Sequence, residues 1–142
     1  MKDTTILDKK VLSKALTSYH LLKYNGQVKN KKLMVIVDYT LSSNVKRLFV
    51  VDIRDNAVVR KHHVAHGKFS SDSSNPGKAI RFSNRIGSGM SSVGPAVTGN
   101  TYLGLYGKSL KLHGLADTTS NLYTRFVVVH KSNYVTDNFI AK

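Results

Sequence analysis

Residues 33–66 read LMVIVDYTLSSNVKRLFVVDIRDNAVVRKHHVAH, and their pattern decides the class of fold. The apolar run Leu33–Tyr39 is β-branched in its middle, which predicts a strand buried on both faces. Leu41–Val45 is a Ser/Asn turn. Arg47–Ile53 predicts a second strand, Arg54-Asp55-Asn56 a tight turn and Ala57–His66 a third strand, so 47–66 reads as a β-hairpin.

Upstream, Val11, Leu12, Ala15, Leu16, Tyr19 and Leu22 recur at three-to-four spacing and predict a helix over 8–24. Asp8 is its N-cap, and Asn25-Gly26 stops it. Gln27–Lys32, with Lys29, Lys31 and Lys32, reads as a solvated basic connector. Downstream, Gly67–Arg81 is a Ser-, Asn- and Gly-rich loop. Phe82–Gly99 (FSNRIGSGMSSVGPAVTG) mixes glycine with small hydroxyl residues, and Ser91–Thr98 is its expected strand. Leu110–Leu115 and Arg125–His130 are further strands joined by the polar turn Ala116–Asn121, and Tyr134–Ala141 is a short helix. The sum is mainly β with one or two helices.

Composition narrows the chemistry. The chain has 142 residues, 41% of them hydrophobic, enough for one domain with a real core. It carries 22 Lys plus Arg against 8 acidic residues, a net charge of +14. Every acidic residue is Asp, which excludes mechanisms that need glutamate. There is no Cys, hence no disulfide, thiolate metal site or thiol nucleophile within the chain. The polar start MKDTTILDKK predicts no export signal, and no apolar run has the length of a membrane span. The charge points to anionic partners: nucleic acid, acidic lipid or a wall polymer.

Four kinds of site can be weighed. His62, His63 and His66 cluster in sequence, but His62 and His66 on a strand stand about 13 Å apart, too far for one ion, and no metal is expected. Gly87-Ser88-Gly89 and Gly94 lack the Lys-Ser/Thr of a phosphate loop, so no nucleotide cofactor is expected. Seven tyrosines and five phenylalanines could stack bases, yet no nucleic-acid-binding motif accompanies them. His113 and His130 each end a strand, where an imidazole serves either as a structural hydrogen-bonder or as a base. Ser83, Ser88, Ser91 and Ser92 are hydroxyl candidates without a nucleophile elbow.

The order of motifs is distinctive: Asp38 in VIVDYT, then VAHGKFSS, then FSNRIGSGMSSVGPAVTGNTYLGLYGKSLKLHGL, then RFVVVHKSNYV. From Leu33 to Lys142 the chain resembles the murein L,D-transpeptidase catalytic-domain family, a branch of the YkuD-like enzymes. The resemblance implies a sandwich of mixed sheets, incomplete at the C-terminus, with residues 1–32 as an N-terminal helix and connector and 33–142 as a partial catalytic domain. It implies a cell-envelope, periplasmic enzyme that attacks peptidoglycan stem peptides through a cysteine acyl-enzyme and needs no cofactor.

By motif, His130 takes the place of the catalytic general base, oriented by a backbone carbonyl. His113, Gly114, Ser91, Ser92, Gly94, Tyr102, Gly107 and Arg125 fall on groove positions. The implied nucleophile, in a Ser-x-Gly-Cys motif, belongs farther along than the twelve residues that follow His130. The expectation is therefore a domain cut short of its cysteine and inactive in this form. The alternative is a non-catalytic basic protein that binds cell wall or nucleic acid.

Overall fold

The computed structural model describes residues 6–141, which pack as two compact units divided between Val64 and Ala65. In the first unit, α1 spans Lys9–Tyr24. The Asp8 carboxylate accepts the amides of Lys10 (2.8 Å) and Val11 (3.2 Å), satisfying two of the free N–H groups of the first turn. At the other end Asn25 caps the helix and Gly26 turns the chain at φ 72°.

A three-stranded sheet follows, β1 (Leu33–Val37), β2 (Leu48–Asp52) and β3 (Ala57–His62), in the order β1-β2-β3 and antiparallel throughout. Ile36 faces Phe49 across β1–β2, and a bulge falls between Val50 and Val51 against β3. The core of this unit is Leu7, Ile36, Phe49 and Val51, with Val11, Leu12 and Ala15 of the helix stripe laid on it. The expectation of a doubly buried β1 is corrected here. Its burial alternates, Ile36 inward and Val35 57% exposed, because successive side chains point to opposite faces and only the Ile36 face packs on this core. β3 also stops at His62 rather than His66, and most of its side chains are exposed.

A buried polar group closes this unit. Arg47 donates from Nε (3.2 Å) and Nη2 (3.0 Å) to the Val64 carbonyl and from Nη1 (2.9 Å) to the Leu41 carbonyl, with its guanidinium 5.0 Å from the Tyr39 ring centroid. Burial lowers its pKa, and the nearby Tyr39 and Asp38 oppose that shift. Asp38, also buried, accepts the Thr40 amide and hydroxyl on Oδ1.

The second unit opens with a short 3-10 turn, Lys68–Ser70. Its sheet comprises β4 (Ala96–Gly104), β5 (Gly107–Gly114) and the two-residue β6 (Val128–Val129), again antiparallel, in the order β4-β5-β6. The expected mainly β class with two helices holds, but every pairing among the described residues is antiparallel where mixed sheets were expected.

Boundaries move here too, and the expected strand Leu110–Leu115 is Gly107–Gly114. The expected strand Ser91–Thr98 begins instead at Ala96 and runs on to Gly104, because the Ser91 amide and carbonyl are engaged by Ser70 and Ser83 in the loops. The expected strand Arg125–His130 shrinks to Val128–Val129. The Arg125 and Phe126 amides close turns on Asn121 and Tyr123, and Phe126 adopts φ 55°. The C-terminal helix divides into a 3-10 turn, Asn133–Val135, and α2, Asp137–Ile140, capped by Thr136. Among the described residues, no helix is long and apolar enough to cross a membrane.

Candidate active site

Glycine- and serine-rich segments bury little apolar surface, so hydrogen bonds must fix their path. In the second unit one cation does much of this. Arg125 Nη1 donates to the Ser83 carbonyl (2.8 Å) and to Ser92 Oγ (2.7 Å); Nη2 donates to Ser88 Oγ (3.2 Å) and to the Met90 carbonyl. The fork of the guanidinium matches this set because its donors are planar and rigid.

Ser91 extends the network. Its Oγ accepts the Gly67 amide (2.9 Å), its own amide donates to the buried Ser70 Oγ (2.8 Å), and its carbonyl accepts the Ser83 amide (3.0 Å). Asn84 reaches the Asp117 carbonyl and Ser120 hydroxyl, and accepts the Asn121 amide. The loops 67–92 are thereby pinned to the turn 116–125.

A second tie lies at the end of β5. The buried Thr119 hydroxyl donates to the Pro95 carbonyl (2.8 Å). Gly114 lies against the Thr119 backbone, where a Cβ would collide with the Thr119 carbonyl. Gly94 adopts φ 143° beside Thr118 and Thr119, so both predicted glycines sit where the chain approaches this turn closely.

Beyond these ties, β4 and β5 present a face with distinct chemistry. Tyr102, Lys111, Leu112, Tyr123, Val127 and Val128 line a pocket of about 210 Å³. Lys111 Nζ stands 5.5 Å from the Tyr102 ring centroid and 5.2 Å from that of Tyr123, and donates to the Tyr123 hydroxyl at 3.4 Å. His113 also stacks on the Tyr123 ring, at 4.8 Å and 15°. Backbone room for that imidazole comes from Gly99, whose missing Cβ would meet His113 Nε2.

His130 follows β6 directly. Its ring stacks on Tyr106, in the β4–β5 turn, at 4.5 Å and 17°, and its Nδ1 lies 2.9 Å from the Lys131 carbonyl oxygen. A carbonyl can only accept, so Nδ1 carries the proton, and in the neutral ring Nε2 keeps its lone pair. Leu110 pairs with Val129, so His113 and His130 lie toward opposite ends of the β5–β6 ladder, about 13 Å apart along the strand direction.

The predicted residues thus fall in three places. Ser91, Ser92 and Arg125 meet in the loop network; Gly94 and Gly114 meet at Thr119; Tyr102 and His113 flank the Lys111–Tyr123 pair, with His130 on Tyr106 at the other end of the ladder. Sequence reading missed Lys111, Tyr123 and Tyr106. Strand alternation could have found the first, because Lys111 and His113 are two apart on β5 and share a face.

An imidazole bonded to a carbonyl and a cation among aromatic rings are thus both carried by a small antiparallel sheet. The family model for the L,D-transpeptidase catalytic domain matches residues 3–142, and the chain belongs to that family. No curated protein and no solved structure gave a match.

Proposed function

We propose that the chain is a peptidoglycan-directed domain of the cell envelope whose ligand is the peptide stem, with His130 as its general base. The observation that carries this reading is the His130 Nδ1–H bond to the Lys131 carbonyl, because it aims the basic lone pair of Nε2 away from its anchor. Such an imidazole can take the proton from a thiol as it attacks a stem-peptide carbonyl, and return it to the leaving amine. His113, Tyr102, Ser91, Ser92, Gly94, Gly114 and Arg125 form or brace the groove, Arg125 by holding Ser83, Ser88, Met90 and Ser92 in place.

These 142 residues contain no thiol, and the serine hydroxyls nearest the network are engaged: Ser91 with Gly67, Ser92 with Arg125 and Ser83. The 142-residue chain therefore binds stem peptides and does not turn them over. Incubated with muropeptides, it forms no cross-linked or trimmed product; product that disappears with His130→Ala would overturn this.

Binding separates the reading from a merely basic surface. A charge-driven surface binds sacculi and DNA alike and releases both as salt rises. The groove reading expects retention on purified sacculi at physiological salt, reduced by Tyr102→Ala with His113→Ala. If sacculus and DNA binding fall together with salt and the double variant alters neither, the protein is a basic binder of cell wall or nucleic acid instead.

A further inference from the structure

The feature that the general-base reading leaves unused is Lys111. Side chains of this kind on a +14 surface normally project into solvent. Lys111 instead is half-buried and lines a pocket with Leu112, Val127 and Val128, its ammonium 5.5 Å from the Tyr102 ring centroid and 5.2 Å from that of Tyr123. Ring quadrupoles attract the cation and fix its position, but they leave its charge uncompensated. No carboxylate of the described residues pairs with it.

The Tyr123 hydroxyl sharpens the arrangement. Because Lys111 donates to its oxygen, the phenolic hydrogen is left to point elsewhere. An ammonium and a phenol, bridged to each other, therefore line one pocket, and each keeps a donor to spare. That donor pair matches the two oxygens of one carboxylate, and a charge-assisted bond in a partly desolvated site is strong. The volume of about 210 Å³ lies below the roughly 300–1,000 Å³ of larger small-molecule sites, and so admits one or two small residues.

We propose that the pocket between Tyr102, Lys111 and Tyr123 is a carboxylate subsite, which takes the free C-terminal carboxylate of a short peptide with a small apolar residue beside it. Lys111 supplies the charge, Tyr123 the second donor, and Leu112, Val127 and Val128 the floor for the apolar side chain. The peptide nature of the ligand rests on the function proposed above; the preference for a carboxylate rests on the donor geometry alone.

The test uses the 142-residue chain and two probes, N-acetyl-alanyl-alanine and its C-terminal amide, titrated at physiological salt while the backbone amides of Lys111, Leu112 and Val128 are followed by NMR. The free acid should shift these amides and bind about tenfold or more tightly than the amide, the effect of one hydrogen-bonded charge. Lys111→Met keeps the apolar stem over the rings and should erase the acid–amide difference. Tyr123→Phe should weaken the acid by roughly three- to tenfold with the fold intact. Lys78→Met removes the same charge from an exposed loop and should leave both affinities unchanged.

Equal binding of acid and amide, no shifts at millimolar probe, or equal losses from Lys78→Met and Lys111→Met would each overturn the subsite. The acid–amide preference with no retention on sacculi would support the subsite and defeat the peptidoglycan reading. Retention on sacculi that is sensitive to Tyr102 and His113, without any acid–amide preference, would do the reverse.

Discussion

The two units of the chain balance apolar and polar burial differently. In the first, Leu7, Tyr19, Ile36, Phe49 and Val51 are buried, four of them in one cluster beneath a helix stripe, beside the buried Asp38, Arg47 and Asp52. In the second, the buried apolar set is Ala79 and Leu122, while Ser70, Ser109 and Thr119 are buried among hydrogen bonds. An apolar core tolerates many substitutions of similar volume, since its attraction is not directional. A polar network fixes one backbone path and fails when a member is removed. The difference follows where the candidate site lies. Glycine- and serine-rich loops can frame an open groove, but only donors such as Arg125 can hold them to one shape.

The contrast can be broken at either end. Phe49 has no exposed surface, so Phe49→Ala should cost about 3–5 kcal/mol, read as a lower urea midpoint at unchanged m-value. A loss below 1 kcal/mol would mean that the first unit does not depend on its apolar cluster. In the second unit Arg125→Met keeps the stem and removes the four donated bonds, with an expected cost of about 2–3 kcal/mol. Its signature is faster hydrogen exchange at the amides of Gly67, Ser83 and Ser91. Unchanged exchange there would show that the loops hold their path without the guanidinium.

Smaller effects sharpen the same comparison. Thr119→Val replaces the hydroxyl that donates to the Pro95 carbonyl, and should cost about 1–2 kcal/mol even though the shape is kept. Asp8→Ala strips the cap from α1 and should cost about 1 kcal/mol, seen as fraying of the Lys10 and Val11 amides. If Asp8→Ala proved more damaging than Thr119→Val, the weight given to the polar turn of the second unit would be misplaced.

Much of the first unit was legible because local and tertiary signals agree there. Asp8, the apolar stripe and Asn25-Gly26 each mark the same helix, and Arg54-Asp55-Asn56 marks the hairpin between β2 and β3. The burial of β1 was not legible, since Leu33 and Val35 are as apolar as Ile36 but lie on the face that this core leaves uncovered. In the second unit the sequence misleads for a physical reason. Gly99 and Gly104 look like strand breakers, yet both lie in β4, beside His113 and Tyr102, which would clash with a larger residue.

Of the site, the histidines were legible as strand-end imidazoles, and the resemblance assigned their places. The partners that orient them were not. Tyr106 and Tyr123 fall outside the elements expected from the sequence, and their stacking on His130 and His113 depends on contacts that no spacing rule encodes. Arg125 read as the first residue of a strand, whereas its backbone belongs to a turn and its side chain braces loops more than thirty residues away in sequence.

The central claim is that His130 is held as a base with Nε2 presented for proton transfer. It is tested most directly by long-range proton–nitrogen NMR of the histidine side chains at a pH where the ring is neutral. The account predicts that His130 is the Nδ1–H form, with Nε2 unprotonated, and that Tyr106→Ala broadens or shifts its resonances without unfolding the chain. A neutral His130 protonated on Nε2 would contradict the account, since the lone pair would then face the Lys131 carbonyl and no base would be presented.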